Sequence, residues 1–381
     1  MKVAVLGFGT VGKGVYEMLA HADGLEQGPV LVRPGKADEP WKISDINGIV
    51  SDVSVGAVAE VMGGVEPAFS YCAAALKAGK HVVTSNKALV AAKGIELAAL
   101  AREHKAAFLF SAACGGGVPF LHNLSLAVLS DRIESLGGIL NGTTNYMLDA
   151  MQRRGLDYAS ALADAQRLGY AEADPTADVS GLDALRKIML GCAVGFGLLP
   201  VEGLDCEGIE SFSAADAADL KKRGLCCRLL ARGGKSASGV YAYVEPMALG
   251  ASAAECSVLD NFNMARYRGV NSGDIIMIGQ GAGRWPTASA VLRDLSCILR
   301  GERAMLGAGC VSGKADNSGC AHSYYVRLPA GYAGRLPVKE AWRDGGDSRV
   351  ITEPVSVADM HALAAELRGS GAGIFFAALE D

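Results

Sequence analysis

The sequence predicts an α/β protein with two domains, the first of which is built on a parallel β-sheet. A chain of 381 residues, of which 50% are hydrophobic, is long enough to bury two cores. Its first third alternates short apolar runs with longer helix-like segments, as a parallel sheet flanked by helices does. Further along the chain, strand-like runs are separated by glycine, proline and asparagine, which is typical of an α+β domain whose strands are joined by turns.

The composition argues against several classes of function. The net charge of −5, from 36 basic and 41 acidic residues, gives no broad positive field to attract nucleic acid or an anionic membrane. The uncharged stretch Ile188–Val201 is shorter than the roughly 20 residues that span a bilayer. The ten cysteines contain no CxxC pair, and the first residues lack the pattern of a signal peptide. We therefore expect a cytoplasmic enzyme or binding protein with reduced cysteines.

The first strand and the loop after it predict a nucleotide site. Val3–Leu6 reads as a short buried strand, and a GxGxxG sequence follows it and opens a helix. Gly7 permits the tight turn, Gly9 lets a pyrophosphate approach the backbone, and Gly12 lets the helix and the strand pack closely. The phosphates would lie at the helix N-terminus. The candidate cofactor-binding residues of this loop are Gly7, Gly9, Thr10, Val11 and Gly12.

The segments that follow continue the alternation of helix and strand. We predict helices over residues 67–77 and 88–104, and strands over residues 81–84 and 107–110. Together with the glycine loop, this order predicts a Rossmann dinucleotide-binding domain. The alternative is a glycine-rich turn in an α/β protein that binds no nucleotide.

The end of the second predicted strand favours NADP over NAD. An NAD-specific site usually carries an acidic residue about 20 positions beyond the glycines, where it bonds the ribose hydroxyls. Here the strand Pro29–Val32 is followed by Arg33, with Lys36 close behind, so a 2′-phosphate would meet cations. NAD remains possible, because Arg33 and Lys36 could simply be solvated charges of the loop.

A cluster of carboxylates around residues 165–187 predicts a site for proton transfer. Asp183 and Lys187 are spaced i,i+4 on one face of a helix, and the uncharged segment 188–196 continues that helix into the protein interior. A pair at the mouth of a buried helix can move a proton to or from a hydroxyl, the aspartate holding the lysine in place. The alternative is a surface ion pair that contributes a few tenths of a kcal/mol.

The region around this pair resembles the signature of the homoserine dehydrogenase family. Four further stretches are similar to that family, and together they extend the resemblance over roughly residues 1–305. These stretches are residues 66–68 with 79–89, residues 115–119, residues 139–146 and residues 281–290. Beyond this range the resemblance becomes faint.

The resemblance implies a reaction and a set of site residues. Homoserine dehydrogenases interconvert L-aspartate 4-semialdehyde and L-homoserine with NAD(P), in threonine and methionine biosynthesis. The implied substrate-binding residues are Gly142, Thr143, Tyr170, Glu172 and Asp178. Lys87 would lie near the nicotinamide and the reacting carbon, Gly283 would contact the cofactor, and either Lys87 or Lys187 could donate the proton, with Asp183 as partner of Lys187. A homodimer or higher homo-oligomer is also implied.

Two readings other than this enzyme remain open. The chain could be another amino-acid-directed NAD(P) dehydrogenase on the same scaffold, or a non-catalytic amino-acid-sensing relative. A sensor needs no proton donor, so the set of Lys87, Glu172, Asp183 and Lys187 favours an enzyme.

One position departs from the family pattern. Ser111 stands where the family usually has a glutamate that helps to bind a monovalent cation, before the triple glycine Gly115–Gly117. A hydroxyl supplies one neutral oxygen in place of a full charge, so it would hold a hard cation less well. We therefore expect no metal.

The rest of the chain predicts a second sheet and a short tail. The predicted strands of the second domain are residues 133–140, 225–231, 239–244, 264–270 and 274–279. The tail faintly resembles a shortened ACT-type regulatory domain, but the glycines and two prolines between Pro329 and Asp347 make its first helix doubtful. The predicted domains are a Rossmann domain (1–131 and 285–305), a substrate-binding and dimerisation domain (132–284) and a degenerate ACT-like region (320–381).

Overall fold

The computed structural model describes residues 1–380 and contains two compact units. The first unit consists of residues 1–132, 193–199 and 279–312, and the second consists of residues 133–192, 200–278 and the chain from 313 onward. Each unit has its own β-sheet.

The strands and helices are numbered in chain order. The strands are β1 (Lys2–Leu6), β2 (Glu26–Leu31), β3 (Lys42–Ile43), β4 (Val55–Glu60), β5 (His81–Thr84), β6 (Phe108–Leu109), β7 (Ile133–Ile139), β8 (Leu198–Glu202), β9 (Asp205–Cys206), β10 (Leu225–Ser236), β11 (Gly239–Gly250), β12 (Phe262–Gly269), β13 (Gly273–Gln280), β14 (Val311–Lys314), β15 (Ala321–Pro329), β16 (Val338–Asp344), β17 (Asp347–Thr352), β18 (Val355–Ser356) and β19 (Phe375–Glu380). The α-helices are α1 (Thr10–Leu19), α2 (Asn47–Val50), α3 (Ala68–Lys77), α4 (Lys87–Glu103), α5 (Phe120–Ala127), α6 (Gly142–Arg154), α7 (Tyr158–Arg167), α8 (Thr176–Val179), α9 (Leu182–Phe196), α10 (Ala214–Lys222), α11 (Arg284–Leu299) and α12 (Val357–Gly369).

The sheet of the first unit has the strand order β3-β2-β1-β4-β5-β6, and its strand pairs are parallel. β1 lies between β2 and β4, so the order of strands reverses there. Ligands of open α/β sheets bind beyond the carboxyl ends of the strands at such a switch point. The predicted Rossmann-like parallel sheet is confirmed.

Most predicted elements of the first unit are present. The strand predicted at residues 81–84 is β5, and the helices predicted at 67–77 and 88–104 are α3 and α4. The strand predicted at 107–110 is shorter, because the chain turns into a 3-10 helix at Ser111–Ala113. Sequence reasoning missed β3, α2 and β4. β4 is buried on both faces, but it begins with Val-Gly and ends with an acidic residue, which hides its apolar run.

The sheet of the second unit has the strand order β13-β12-β7-β10-β11-β19-β15-β17-β16. The five predicted strands are β7, β10, β11, β12 and β13, and the central pair β10–β11 is longer than predicted, with twelve residues in each strand. These two strands form an antiparallel hairpin across their whole length. α6 packs against β10 and β12, so the N-terminus of α6 has a fixed position on this sheet.

The last 60 residues extend the same sheet. β19 pairs in parallel with β11 on one side and antiparallel with β15 on the other. The described residues between 329 and 347 do not form the doubtful α-helix. A 3-10 helix at Ala330–Arg335 and strand β16 take its place, since glycine and proline disfavour an α-helix there. The ACT-like assignment of this region stays a prediction.

One hydrophobic cluster joins the C-terminal strands β15, β17 and β19 to strands β7, β10, β11 and β12 of the same sheet. It includes buried residues from β7, β10, β11 and β12, and buried residues from β15, β17, α12 and β19. Representative members are Ile139, Leu230, Met247, Met264, Tyr324, Val350, Met360 and Phe376. None of the described helices is long and apolar enough to cross a membrane.

The shared cluster makes a stability prediction. Replacing Phe376 by alanine should lower the free energy of unfolding by about 3–5 kcal/mol, because its ring is fully buried in the cluster, next to Tyr324 of β15 and His361 of α12. Phe262→Ala is the control, since Phe262 in the same unit is 40% exposed and should lose much less. Chemical denaturation measures both. Equal losses in the two variants would show that the C-terminal strands do not share this core.

Candidate active site

The glycine loop after β1 has the backbone that a dinucleotide site needs. Gly7 has a φ of +99°, and a Cβ added there would lie 2.9 Å from Cγ of Met62. A Cβ at Gly12 would overlap the carbonyl oxygen of Gly7, whereas a Cβ at Gly9 would meet no atom within 4 Å. The loop is therefore tightly packed at Gly7 and Gly12 and open at Gly9, where a pyrophosphate needs space.

The helix that follows this loop leaves its first N–H groups free of side-chain caps. α1 begins at Thr10, and its N-cap Gly9 has no side chain to accept a hydrogen bond. The first N–H groups of a helix lack partners within the helix, and they attract anions when no side chain caps them. The segment from Gly9 to Gly12 therefore fits the phosphates of a dinucleotide.

Cationic side chains surround the end of β2. Arg33 and Lys36 are exposed and belong to one turn, in which the Lys36 N–H donates to the Arg33 carbonyl at 3.0 Å. The short strand β3, which sequence reasoning missed, brings Lys42 to the neighbouring strand. Lys42 lies 4.9 Å from the ring centroid of Trp41 and pairs with Asp38 at 2.5 Å. No carboxylate ends β2, as the sequence indicates.

A buried carboxylate joins the carboxyl ends of β4 and β5. Glu60 is 0% exposed and accepts hydrogen bonds from the Thr84 hydroxyl and from the Met62 N–H. The side-chain amide of Asn86 also donates to it, at 3.5 Å, and its oxygen caps α4. Burial raises the pKa of Glu60. Sequence reasoning missed this residue, although an acidic residue at the end of a buried strand is a usable signal.

Lys87 is the first residue of α4, one residue before the predicted start of that helix. Its side chain is half-buried. Because Asn86 is the N-cap of this helix and also donates to the Gly64 carbonyl at 2.7 Å, the backbone at Lys87 is fixed relative to the ends of β4 and β5. Lys87 therefore lies at the carboxyl edge of the parallel sheet, where cofactors of this fold bind.

The glycines at 115–117 pack against the segment that opens α11. A Cβ at Gly116 would lie 2.5 Å from the Gly281 carbonyl oxygen, and the Gly117 N–H donates to the Gln280 carbonyl at 3.0 Å. Gly283 is the N-cap of α11, with a φ of +113°. Two of the family-like stretches are thus one structural feature.

Ser111 is bound by a buried aspartate of α11. The Ser111 N–H donates to Asp294 at 2.8 Å, and its hydroxyl donates to the other oxygen of the same carboxylate. Burial raises the pKa of Asp294 to about 7, against the lowering effect of both hydrogen bonds. Sequence reasoning missed Asp294, which lies among apolar residues of its helix. Ser111 therefore has a carboxylate partner supplied from elsewhere in the chain.

In the second unit, Asp183 and Lys187 form a buried ion pair at the start of α9. The Lys187 Nζ lies 2.7 Å from the Asp183 Oδ2 and donates to the Leu140 carbonyl at 2.6 Å. Lys187 is 7% exposed and Asp183 is 6% exposed. This is not the solvated surface pair of the alternative interpretation. Because both charges are buried, each must stay within contact of the other, and loss of either partner would strongly destabilise the fold.

Asn141 links this pair to a second carboxylate. Its side-chain amide donates to Asp178 at 2.7 Å and to Asp183 at 2.9 Å, while its oxygen accepts from the Thr144 N–H at 2.9 Å and caps α6. Sequence reasoning quoted Asn141 as part of a family-like stretch but gave it no role. An asparagine before a helix start is the signal that could have identified it as a cap.

The other predicted substrate residues lie around the N-terminus of α6. The Thr143 hydroxyl donates to the Tyr170 carbonyl at 2.6 Å and lies 3.4 Å from the Asp178 carboxylate. A side chain at Gly142 would collide with the Asn261 carbonyl and approach Asn263 within 3.1 Å. The structure therefore brings Gly142, Thr143, Tyr170, Asp178, Asp183 and Lys187 together. Glu172 is exposed, and among the described contacts only its backbone carbonyl accepts, from Gln166 at 3.2 Å.

The ring of Tyr146 packs against the ring of Tyr170. The Tyr146 ring lies 5.1 Å from the Tyr170 ring, edge to face, and the Tyr146 hydroxyl donates to Asp164 at 2.5 Å. That bond, together with Arg167, lowers the pKa of Asp164 to about 2. The loop that carries Tyr170 is therefore held by α6 and α7.

Comparisons with known proteins give a consistent result. The family model described as "Homoserine dehydrogenase" matches residues 119–296, and the model described as "Homoserine dehydrogenase, NAD binding domain" matches residues 7–111. The chain is 37% identical over 352 residues to homoserine dehydrogenase of Synechocystis sp., covering 86% of this chain and 79% of the relative. It is 41% identical over 318 residues to homoserine dehydrogenase of Corynebacterium glutamicum, covering 77% and 70%.

Solved structures give the same result for the whole fold. A homoserine dehydrogenase from Thiobacillus denitrificans superposes with a TM-score of 0.89 at 29% identity and covers 100% of this chain and 98% of its own. A hyperthermophilic archaeal homoserine dehydrogenase in complex with NADPH has a TM-score of 0.68 at 27% identity and covers 79% of this chain and 98% of its own.

The buried Asp294 carboxyl makes the stability of the protein depend on pH. A carboxyl whose pKa is raised to about 7 in the folded state favours folding when protonated, so its contribution is lost as the pH rises from the unfolded value toward and past about 7. Asp294→Asn removes this titration and keeps the shape. We expect the stability of the variant relative to wild type to increase from about pH 5.5 to about pH 8.5. Urea denaturation at both pH values checks this, and a constant difference would contradict it.

Proposed function

The chain belongs to the homoserine dehydrogenase family, and on this premise we propose how its residues share the reaction. Enzymes of this family are NAD(P)-dependent oxidoreductases that act on the CH–OH group of L-homoserine. The observation that carries the proposal is the buried Lys187 ammonium, held between the Asp183 carboxylate and the Leu140 carbonyl. Its donors have fixed directions, as proton transfer requires.

Lys187 is the proposed proton donor to the substrate oxygen. When bound, the nicotinamide exchanges a hydride with the reacting carbon. In aldehyde reduction, negative charge grows on the oxygen, and an ammonium group stabilises this charge and then gives up a proton. Asp183 and the Leu140 carbonyl each engage the Lys187 ammonium, so the position of its Nζ atom is fixed. In the reverse direction the neutral amine accepts the proton.

Lys87 is the second candidate for this step. It is half-buried at the N-terminus of α4, at the edge of the sheet where the cofactor is expected. We propose that it contacts the cofactor and the substrate oxygen rather than donating the proton. Lys187 is the better donor because it is buried and held by two acceptors, whereas Lys87 lies at a more open helix start.

The charges near α6 fit the two ends of an amino acid. The Asp178 carboxylate, half-buried and bonded by Asn141, and the exposed Glu172 carboxylate would pair with the substrate ammonium. Gly142 and Thr143 open α6, and a helix N-terminus favours a carboxylate. Tyr170 closes this space next to Thr143. A neutral alcohol would have no use for these two charges.

NADP is the proposed cofactor, with NAD as the alternative. Arg33 and Lys36 follow β2 where an NAD-specific site would carry an acidic residue. The backbone from Gly7 to Gly12 has the space and the uncapped N–H groups for the pyrophosphate, and Gly283 lies at the α11 start beside the triple glycine. The archaeal relative in complex with NADPH supports the same cofactor.

The assembly, location and pathway are also proposals. β13 is an edge strand whose exposed side chains include Ile276 and Ile278, and a second copy would cover them in a homodimer. A cytoplasmic location is supported by ten cysteines without a disulfide in the described chain. We propose that this reaction serves threonine and methionine biosynthesis. We propose that no metal takes part in catalysis, because Ser111 supplies a neutral hydroxyl where the family usually has a glutamate.

The role of Lys187 predicts a selective loss of turnover. Lys187→Ala should lower kcat by about 100-fold or more and change the KM for NADP little, because the residue lies in the substrate half of the sequence. Asp183→Asn, which keeps the shape, should lower kcat less and shift the pH profile. Lys221→Ala, an exposed lysine of α10, is the control. Circular dichroism confirms folding, and near wild-type kcat in Lys187→Ala would transfer the role to Lys87.

The cations after β2 predict the cofactor preference. The wild type should have a higher kcat/KM for NADP than for NAD, and Arg33→Ala should narrow the ratio mainly through the KM for NADP, because a 2′-phosphate loses a charge partner. Arg153→Ala, an exposed arginine of α6, is the control. A wild-type preference for NAD above about tenfold, which is roughly 1.4 kcal/mol, would contradict this interpretation.

A further inference from the structure

Three side chains of different chemistry meet at the end of α11 in the first unit. His122 lies in the first turn of α5, Cys297 in the last turn of α11, and Glu302 in the turn that follows α11. Their ligand atoms all lie within 4.8 Å of one another, and Cys297 Sγ is 3.9 Å from His122 Nδ1. The reaction proposed above uses none of these residues.

We infer that His122, Cys297 and Glu302 form a binding site for a divalent zinc-like metal ion, with water completing its coordination. Imidazole, thiolate and carboxylate are the ligands that Zn²⁺ takes in proteins, whereas Mg²⁺ and Ca²⁺ prefer oxygen alone. Three protein ligands with one open position is a common zinc arrangement.

The spacing of the atoms suits such an ion. Zinc lies about 2.3 Å from sulfur and about 2.0–2.1 Å from nitrogen, so in a tetrahedral site the two ligand atoms are about 3.6 Å apart. The observed separation of 3.9 Å between Cys297 Sγ and His122 Nδ1 needs only a small adjustment. Glu302 is already in place, since it accepts a hydrogen bond from the Cys297 thiol.

The backbone around the site is fixed, and access from solvent is open. The N–H groups of Arg300 and Glu302 both donate to the Cys297 carbonyl, at 3.1 and 3.0 Å, which holds the turn that carries Glu302. Cys297 is 6% exposed, while His122 and Glu302 are half-buried. An ion could therefore enter past His122 and Glu302 and reach the buried sulfur.

The charge balance of the site favours a cation, and binding releases one proton. The carboxylates of Glu302 and Asp294 both act on the Cys297 thiol, and the Arg300 guanidinium is the opposing charge. A metal ion binds cysteine as the thiolate. On binding, the S–H bond breaks, a sulfur–metal bond forms, and the proton leaves to solvent. The bound ion would join α5 to the end of α11.

Cobalt(II) tests the site, because a thiolate ligand to cobalt gives a charge-transfer band in the near ultraviolet. The full-length protein, treated with a chelator and dialysed, is titrated with Co²⁺ under reducing conditions that do not chelate metal. We expect saturation near one equivalent per chain, appearance of the band, and its loss when Zn²⁺ is added. Zn²⁺ should also raise the Tm, because it binds the folded state.

Variants separate the three ligands from the other thiols. Cys297→Ser should abolish the band, and His122→Gln and Glu302→Gln should each weaken Co²⁺ binding by at least the roughly 10- to 100-fold that loss of an outer-shell partner produces. Cys310→Ser is the matched control, since Cys310 is a buried thiol of the same unit and should keep the band and the Tm rise.

Two results would overturn the proposal. One is absence of the thiolate band in the wild type at several equivalents of Co²⁺. The other is a band that persists in Cys297→Ser with the same affinity. If Cys297→Ser does not fold, the half-buried Glu302→Gln variant decides, because unchanged Co²⁺ affinity in that variant contradicts the three-ligand site. Dehydrogenase activity does not enter the test, so the outcome is independent of the proposed roles of Lys187 and Lys87.

Discussion

The Lys187 ammonium is buried, and the polar residues of the second unit are arranged to satisfy it. A buried charge without a partner is destabilised by several kcal/mol, so an ammonium in this position needs opposite charge and hydrogen-bond acceptors nearby. Asp183, one helical turn earlier, supplies the charge, and the Leu140 carbonyl at the end of β7 supplies an acceptor. Asn141 then donates to Asp183 and to Asp178. The start of α6 and the start of α9 therefore cannot change independently.

The first unit uses a similar arrangement around a different buried group. Glu60 ends β4, and Asn86 donates to it while its oxygen caps α4. In both units an asparagine follows a strand, caps the next helix with its oxygen, and contacts a buried carboxylate with its amide. A serine or an aspartate could cap the helix but could not donate two N–H bonds, which explains the choice of asparagine. The helix starts that carry Lys87 and Gly142 are fixed by the same chemistry.

Local patterns were predictable from the sequence, and distant partners were not. The glycine loop at Gly7–Gly12 and the pair of Asp183 and Lys187 each lie within one short segment, so their spacing together with the adjoining apolar residues indicated their geometry. Glu60, Asn141 and Asp294 gain their roles from residues that are distant in the sequence, and no spacing reveals such contacts. β16 was missed for a different reason: the glycine and proline around it argued correctly against a helix, but pairing with β17 stabilises a strand there.

The position of β19 has a consequence for synthesis of the protein. β19 lies between β11 and β15, so residues 375–380 complete the middle of a sheet whose other strands all precede them in the chain. While the ribosome is still making these residues, β11 and β15 each have an unpaired edge, and hydrophobic residues such as Met247 and Tyr324 lack their neighbours on β19. Exposed edges of this kind pair readily with other chains. The second unit therefore keeps two open sheet edges until β19 has been made, whereas strands β1–β6 are complete long before.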